Sequence, residues 1–222
     1  MVENILQVVT GSKLHGLDNK YSDTDIRGIH MHSIKDILSP YRKIKNIQWI
    51  EGDVDNTSYE LMEFCKMATQ GNPNILEVLW SNQIIENSDA GLELQKNRHK
   101  FLDSKRIFDA HKGYAHNQYK KMNLFEPDKR TPKFCVAYIR TLQSGIGLLK
   151  KGDFSPQVTR NKDFLLEIKY NFDKVDVGKL GKMFEKLQIE FAETYYKNEN
   201  NFTPDIEWIE NFIYNRYKHN NI

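Results

Sequence analysis

The period of apolar and polar positions changes near residue 60 of this chain. Before that point, short apolar runs between polar turns predict one element over residues 2–10, either a strand or a short helix, and strands over residues 23–32 and 44–50. A short turn of helix is expected over residues 33–39, before Pro40. From Tyr59 the apolar residues recur every three or four positions, which predicts one helix that ends at Gly71 and a second that begins at Pro73.

Beyond residue 85 the chain shows helical periodicity. The pattern predicts a long helix between residues 105 and 122, another over Lys133–Lys151 that ends at Gly152, and two more at about 160–170 and 175–197. The first of these has a basic side, formed by Lys105, Arg106, Lys112, His116, Lys120 and Lys121. Aromatic residues of the tail, such as Trp208 and Tyr217, are expected to be core or docking groups rather than platforms for base stacking.

Two short motifs near the start of the chain carry the candidate chemistry. Gly11-Ser12 follows the first apolar run, and a turn of this kind offers backbone N–H groups and a hydroxyl to a phosphate. Asp23-Thr24-Asp25 comes about ten residues later. If Thr24 lies in a strand, both carboxylates project to the same face, where they repel each other unless a cation lies between them. The two motifs together therefore point to metal-assisted phosphoryl or nucleotidyl transfer, although each alone is more often an ordinary turn.

Charged and titratable residues follow the Asp pair along the same predicted strand. Arg27 is expected to face the same side as the carboxylates, where it would pair with one of them or contact a phosphate. His30 and His32 share the other side and have the spacing of two metal ligands. Because only the Asp pair offers a further ligand nearby, we favour exposed imidazoles or imidazoles at the edge of a site.

Composition limits the class of protein. The 222 residues suit one large domain or two small ones, and the 12 Phe, 11 Tyr and 3 Trp indicate a globular chain. Cys65 and Cys135 lack the spacing of metal ligands and are expected to be buried free thiols of a reducing compartment. No apolar run approaches the roughly 18 residues of a membrane span, and no signal peptide opens the chain. The sequence thus predicts a soluble cytoplasmic protein with no membrane segment.

Charge is distributed unevenly, although the net charge is only +2. Residues 1–100 contain 11 Lys and Arg against 14 Asp and Glu, whereas residues 101–152 contain 11 against 4. An acidic catalytic region next to a basic block suits a metal site that meets a polyanion such as a nucleotide or RNA. The alternative is that the basic block is simply a solvated helical face.

Two blocks of residues make the pattern specific. The first block consists of Gly11, Ser12, Gly16, Ser22, Asp23, Asp25, Arg27 and Gly28. The second and more specific block consists of Asp55, Thr57, Tyr59, Glu60, Leu61, Phe64, Gly71, Asn72, Pro73, Asn74, Ile75, Leu76, Glu77 and Leu79. With these blocks the sequence resembles the RNA repair pathway DNA polymerase beta family, a branch of the DNA polymerase beta nucleotidyltransferase superfamily that is common in bacteria and their phages.

The resemblance implies an α+β fold with two parts. A nucleotidyltransferase catalytic core, made of a small mixed β-sheet and helices, would occupy residues 1–85. A helical substrate-binding domain would occupy residues 86–222.

The resemblance also implies a metal site with three carboxylates. Asp23, Asp25 and Asp55 would bind two Mg²⁺ ions, with Mn²⁺ as an alternative metal. Asp53 is the second choice for the third carboxylate, and Glu60 the third, since it falls where a helix should begin and would serve as its cap. Glu77 is expected to be a buried or site-edge hydrogen-bonding residue rather than a ligand.

Nucleotide contacts are implied in the same way. Gly11 and Ser12 would hold the triphosphate, and Arg27 would add positive charge. Lys133 and Arg140 lie two helical turns apart on one predicted face, and the family carries a Lys and an Arg in a comparable helix. These two residues are assigned to the triphosphate, with solvated surface as the alternative.

The implied reaction transfers a nucleoside monophosphate from an NTP to an acceptor hydroxyl, on RNA in the first place, either tRNA or another structured RNA. Transfer of AMP to a protein hydroxyl and a non-catalytic nucleotide-binding module are the alternatives. The intact Asp-x-Asp pair argues against the non-catalytic module.

Overall fold

The computed structural model describes residues 2–51, 54–122, 124, 126–197 and 199–219, apart from the side chains of Glu51, Val54, Asp55 and His219. The strands are β1 (Val2–Thr10), β2 (Asp25–His32), β3 (Ile47–Glu51), β4 (Val54–Glu60) and β5 (Ile84–Asn87). The helices are α1 (Gly11–Leu14), α2 (Ile34–Ile37), α3 (Leu61–Thr69), α4 (Pro73–Trp80), α5 (Asp89–Lys96), α6 (Ser104–Lys121), α7 (Thr131–Lys151), α8 (Lys162–Tyr170), α9 (Val177–Lys197) and α10 (Ile206–His219). Single 3₁₀ turns occur at Arg98–Phe101 and Phe172–Lys174.

The chain forms two compact units. The first contains the residues up to Thr69, Asn74–Leu102 and the segment from Thr203, and the second contains Gln70–Pro73 and Asp103–Phe202. The first unit extends past the predicted boundary at residue 85, because α5 contacts β1 and β5 while α10 contacts α3. The assignment of catalysis to one predicted part and of substrate binding to the other stays a prediction.

The first unit is built on a mixed sheet with the strand order β3-β4-β2-β1-β5. Strands β2 and β4 are parallel, and the other neighbouring pairs are antiparallel. The small mixed sheet predicted for an α+β fold is therefore confirmed, and residues 2–10 form a strand rather than a helix. The central strands supply fully buried side chains, among them Ile5, Leu6, Val8 and Ile29.

Helices cover the sheet of the first unit with apolar faces. Helix α3 contacts β2 and β4, and buries Leu61, Phe64, Cys65 and Ala68. The C-terminal helix α10 belongs to the same unit: Phe212 and Tyr217 are buried, and the Trp208 ring meets Phe101 edge to face. The expectation that tail aromatics serve as core and docking groups is confirmed for these residues.

The second unit is helical, with α7 in contact with α6, α8 and α9. Its helices match the sequence-based prediction closely, and α7 ends at Gly152, whose φ of +65° is the left-handed conformation of a helix cap. The basic residues predicted for one side of α6 are all exposed. The edge strand β5 was missed, because a strand of four residues with exposed Ile84 and Ile85 carries no clear apolar period.

Both cysteines are buried free thiols, as predicted. Burial raises the pKa of Cys135 to about 12 and raises that of Cys65 still further, so both thiols are protonated and unreactive near neutral pH. Among the helices in the described part of the chain, none combines the length and the apolar character that a membrane crossing requires.

Candidate active site

The Gly-Ser turn lies at the end of β1, in the first unit. Gly11 has a φ of +67°, a left-handed conformation that side chains disfavour. A Cβ atom placed on Gly11 would lie only 2.1 Å from Oδ2 of Asp25. The carboxylate of Asp25 thus occupies the space that a side chain at position 11 would fill, which brings the two sequence motifs into direct contact.

The Asp pair lies at the beginning of β2. Asp25 is the first residue of the strand and pairs with Thr10, whose hydroxyl donates a hydrogen bond to the Asp25 carbonyl oxygen at 3.3 Å. Thr24 and Asp23 precede the strand, so strand alternation does not place the two carboxylates on one face. The ladder stops here because its partner strand ends at Thr10, where α1 begins. Asp25 is half-buried and Asp23 is exposed.

Asp55, the predicted third carboxylate, lies on the neighbouring strand β4. In the parallel pairing of β2 with β4, Arg27 is opposite Thr57, so Asp25 and Asp55 hold corresponding positions two residues earlier on the two strands. Asn56 fixes this end of the pair, because its buried side-chain oxygen accepts a hydrogen bond from the Ile26 N–H at 2.8 Å. The register therefore supports Asp55 as a neighbour of Asp25, and its role as a ligand stays a prediction.

Asp53 and Glu60 are the two alternatives to Asp55 as the third carboxylate. Asp53 lies outside the described residues. Glu60 is 3% exposed, and its carboxylate accepts hydrogen bonds from the Met62 N–H at 2.8 Å and from the hydroxyl of Tyr217. Its predicted role as a cap at the start of α3 is confirmed, and these two donors leave its carboxylate engaged in structural contacts.

Positive side chains approach the site from two elements of the first unit. Arg27 is half-buried on the same side of β2 as Asp25, as predicted, and makes no ion pair within the described part of the chain. Lys13, on α1, donates a hydrogen bond to the Thr24 hydroxyl, between the two Asp positions. The sequence reasoning missed Lys13, although its position directly after Gly11-Ser12 was a usable signal.

Two of the remaining predicted phosphate contacts lie in the second unit. Lys133 and Arg140 are both on α7, where Lys133 is exposed and Arg140 is half-buried. Ser12 lies in the first turn of α1 in the first unit and is half-buried. The assignment of these three residues to a triphosphate stays a prediction.

His15 and Glu77 form a pair behind the Gly-Ser turn. His15 Nε2 lies 3.5 Å from Glu77 Oε1, and the two side chains are 4% and 16% exposed. This agrees with the expectation that Glu77 is a hydrogen-bonding residue at the edge of the site. The pair ties the loop after α1 to helix α4, which holds the turn in place.

His30 and His32 lie farther along β2, and the expectation of exposed imidazoles is wrong for His30, which is fully buried. Its Nδ1 lies 2.8 Å from the Ser58 hydroxyl on β4, and its ring meets His32 edge to face at 5.1 Å. Burial, and to a lesser degree the neighbouring His32, lowers the pKa of His30 to about 4. The parallel pairing with β4, which the sequence pattern does not reveal, encloses this side chain.

The buried histidines predict a stability loss in mild acid. Burial also lowers the pKa of His111, in the second unit, to about 4. Below the ordinary histidine pKa of about 6.5, the unfolded chain takes up protons that the folded chain refuses, so stability falls as the pH drops from 7 towards 4, by about 1.4 kcal/mol per pH unit for each proton. Urea unfolding at pH 7, 6 and 5 should show this loss.

His30→Asn should make the pH dependence shallower, because Asn keeps a partner for Ser58 and does not titrate. His99→Asn, a change at an exposed histidine, serves as the matched control and should leave the slope unchanged. Equal slopes for His30→Asn and the unmodified protein between pH 7 and 5 would show that His30 is protonated in the folded state.

The donor set near Asp25 fits a hard divalent cation. Asp23 and Asp25 offer carboxylate oxygens, the ligand type that Mg²⁺ prefers, and within the described part of the chain neither carboxylate has an ion-pair partner. Among the described side chains, no three His, Cys, Asp or Glu residues lie close enough together to form a metal site. The side chain of Asp55 is not among them, so the predicted three-carboxylate site depends on that residue.

Comparison with known proteins decides the family. Residues 1–213 match the RNA repair pathway DNA polymerase beta family, RlaP. This chain belongs to that family. Membership supports a nucleotidyltransferase role.

Individual similar proteins extend the comparison. The RlaP chain is 27% identical over 214 residues to an uncharacterized protein of Methanocaldococcus jannaschii, covering 88% of this chain and 86% of that protein. It is also similar to the crystal structure of a nucleotidyltransferase-like protein from Exiguobacterium sibiricum 255-15, with a TM-score of 0.31 and 9% identity over 99% of this chain and 76% of the other.

Proposed function

We propose that this protein is a metal-dependent nucleotidyltransferase that transfers a nucleoside monophosphate from an NTP to a hydroxyl group on RNA. One observation carries the proposal: the carboxylate of Asp25 lies against Gly11 of the Gly-Ser turn, in a chain of the RlaP family. A metal-bound triphosphate needs a turn that contacts phosphate oxygens and a nearby carboxylate that binds the metal, and Gly11 and Asp25 would supply these two groups.

The residues of the first unit divide the work of binding and orientation. Asp23 and Asp25, with Asp55 as the third carboxylate, would hold Mg²⁺ or Mn²⁺. When bound, the metal ions would lower the pKa of the acceptor hydroxyl and stabilise the charge of the departing pyrophosphate. Gly11 and Ser12, at the start of α1, would hold the triphosphate, because a glycine-containing turn lets the backbone come close to phosphate oxygens.

Two cations add to this arrangement. Arg27 shares a side of β2 with Asp25, and Lys13 reaches Thr24 between the Asp positions. Both would counter the negative charge of the triphosphate, and Lys13, a single flexible point charge, can follow the phosphate as the bonds change. In the reaction the acceptor oxygen bonds to the α-phosphorus, the bond from that phosphorus to pyrophosphate breaks, and the hydroxyl proton leaves to water.

RNA is favoured as the acceptor because of the charge on the second unit. The residues on one side of α6 are exposed and basic, and the adjoining loop and helix add Lys129, Arg130 and Lys133, which are exposed as well. Phosphate backbones bind surfaces of this kind through counterion release, so RNA affinity should fall steeply with salt.

A labelling experiment tests the reaction. The full chain is incubated with each α-³²P-labelled NTP, with and without Mg²⁺, in the presence of a pool of structured RNAs that includes tRNA. The proposal expects Mg²⁺-dependent label in RNA lengthened at its end. Label on protein alone would favour transfer to a protein hydroxyl and contradict the RNA acceptor. Absence of transfer to RNA, protein and small-molecule hydroxyls would overturn the proposed enzyme altogether.

A further inference from the structure

A slot of about 610 Å³ lies in the second unit between α6, α7 and α9. Its volume falls within the range of small-molecule sites, roughly 300–1,000 Å³. None of the residues assigned to the metal or the triphosphate lines it, whereas Lys112 and His116 of the basic side of α6 do. The slot is therefore a candidate binding site other than the predicted metal and triphosphate site.

Aromatic rings form one end of the slot. Phe108 and Phe191 are buried and stack on each other with ring centroids 5.1 Å apart. Tyr196 stands at the mouth, tilted by 64° to Phe108 at 5.8 Å, and is 76% exposed. The exposed Tyr196 ring next to these buried rings is suited to contact with a planar aromatic ligand, because the contact would remove the face of the Tyr196 ring from water.

A buried hydroxyl lies at the inner side of the slot. Tyr138, on α7, is 1% exposed, and its hydroxyl lies near the Gln188 side chain, which also lines the slot. Burial raises the pKa of Tyr138 to about 12, and the nearby Gln188 side chain only partly opposes this effect, so the group remains a neutral donor. Tyr138 and Gln188 therefore offer polar groups to the edge of a ligand in an otherwise mostly apolar slot.

Gly113 keeps the slot open on the α6 side. It lies in the middle of an 18-residue helix, where glycine costs up to about 1 kcal/mol relative to alanine. No heavy atom lies within 4 Å of the position that its Cβ would take, so close packing does not require a glycine there. Since Gly113 lines the slot, a large side chain at this position would take up part of the slot volume.

Lys112 gives the rim of the slot a positive charge, and His116 adds an imidazole next to it. Lys112 and His116 are exposed, line the slot and lie one helical turn apart on α6. Asp109, the acidic residue of the lining, is paired with Lys105 at 2.7 Å, which neutralises its charge. The rim therefore complements a phosphate group next to the aromatic wall.

We propose that this slot binds a nucleotide, with its base against Tyr196 and the buried rings, the polar edge of the base near Tyr138 and Gln188, and its phosphate at Lys112 and His116. The same chemistry is present in a free nucleoside monophosphate and in the terminal nucleotide of an RNA strand. This binding site goes beyond the proposed transfer reaction and does not depend on it.

Calorimetric titration of the full chain in the absence of divalent metal tests the site. The probes are AMP, UMP and a 5′-phosphorylated eight-nucleotide RNA. Gly113→Leu would fill part of the slot and should weaken binding by about tenfold or more. A change of one methylene group in a binding pocket commonly has an effect of this size. Gly181→Leu is the matched control: Gly181 is an exposed helical glycine with equally open surroundings, but it does not line the slot, so binding should be unchanged.

Lys112→Ala supplies a second test at an exposed position. It should weaken AMP binding by about tenfold, the size of one lost charge-assisted contact. Adenosine, titrated as a control without a phosphate, should bind Lys112→Ala and the unmodified protein equally. If the variants bind AMP and UMP more weakly than the unmodified protein, the ligand is a free nucleotide. If they bind only the RNA probe more weakly, the ligand is the end of an RNA strand. Absence of binding by all three probes, or equal binding by Gly113→Leu and Gly181→Leu, would overturn the proposal. Because no metal is present, this result is separate from success or failure of label transfer.

Discussion

Asp25→Asn should reduce nucleotidyl transfer by about a thousandfold or more while the protein remains folded. The substitution removes a metal-binding charge at a half-buried position, and the shape of the side chain is almost unchanged. Metal stabilisation of the transferred group is worth several kcal/mol, and each 1.4 kcal/mol corresponds to a tenfold change in rate. The measurement is the rate of label transfer from the preferred NTP, together with a thermal unfolding curve.

Asp18→Asn provides the matched control for this loss. Asp18 lies in the loop between the Gly-Ser turn and the Asp pair and is exposed, so the same chemical change occurs close in sequence without touching the candidate metal site. It should transfer at the rate of the unmodified protein. If Asp25→Asn retained full activity, the assignment of Asp25 to the metal would be wrong.

Gly11→Ala should be nearly as damaging, for a steric reason. The new Cβ would lie 2.1 Å from Oδ2 of Asp25, so either the carboxylate or the Gly-Ser turn must move by more than an ångström. A displacement of this size at a catalytic group costs about a hundredfold in rate. The left-handed φ adds a stability cost of about 1–2 kcal/mol for any side chain. Transfer rates and urea unfolding separate the two effects.

Gly152→Ala shares only the backbone part of this change. Gly152 has nearly the same φ, +65°, but caps α7 in the second unit. It should lower the free energy of unfolding by an amount similar to Gly11→Ala and leave the transfer rate near that of the unmodified protein. Comparable activity of the Gly11→Ala and Gly152→Ala proteins would contradict the close approach of Asp25 to the turn.

Much of the fold could be predicted because it depends on local signals. The helices of the second unit were predicted from their apolar period and from Gly152, since a long amphipathic helix needs little information from distant residues. The contact between Gly11 and Asp25 was predictable in outline, because a glycine-containing turn and an Asp pair at this spacing match a known arrangement. The Asp25 and Asp55 positions on neighbouring strands came from the resemblance rather than from periodicity.

The features that were missed depend on pairing between distant segments. Thr24 lies outside β2 because the ladder with β1 ends at Thr10, and no pattern around Thr24 reveals where its partner ends. His30 is buried because β4 pairs in parallel beside it, 28 residues from Ser58 along the chain. Lys13 reaches Thr24 only because the two motifs fold together. The end of a strand ladder, the burial of a side chain and the contact between two motifs depend on tertiary contacts, which cannot be predicted from the local pattern of a single sequence.

Because α10 belongs to the first unit, it limits the order in which the parts of the protein can fold during synthesis. Helix α10 supplies Tyr217 to the Glu60 carboxylate and Arg216 to Glu93, yet the whole of Asp103–Phe202 separates it from the other segments of that unit. During synthesis, the part of the protein that carries Asp25 therefore cannot complete its packing until α10 has been made, after the whole of Asp103–Phe202. A chain that lacks α10 would lose both contacts in the unit that carries the candidate active site, although every predicted catalytic residue would still be present.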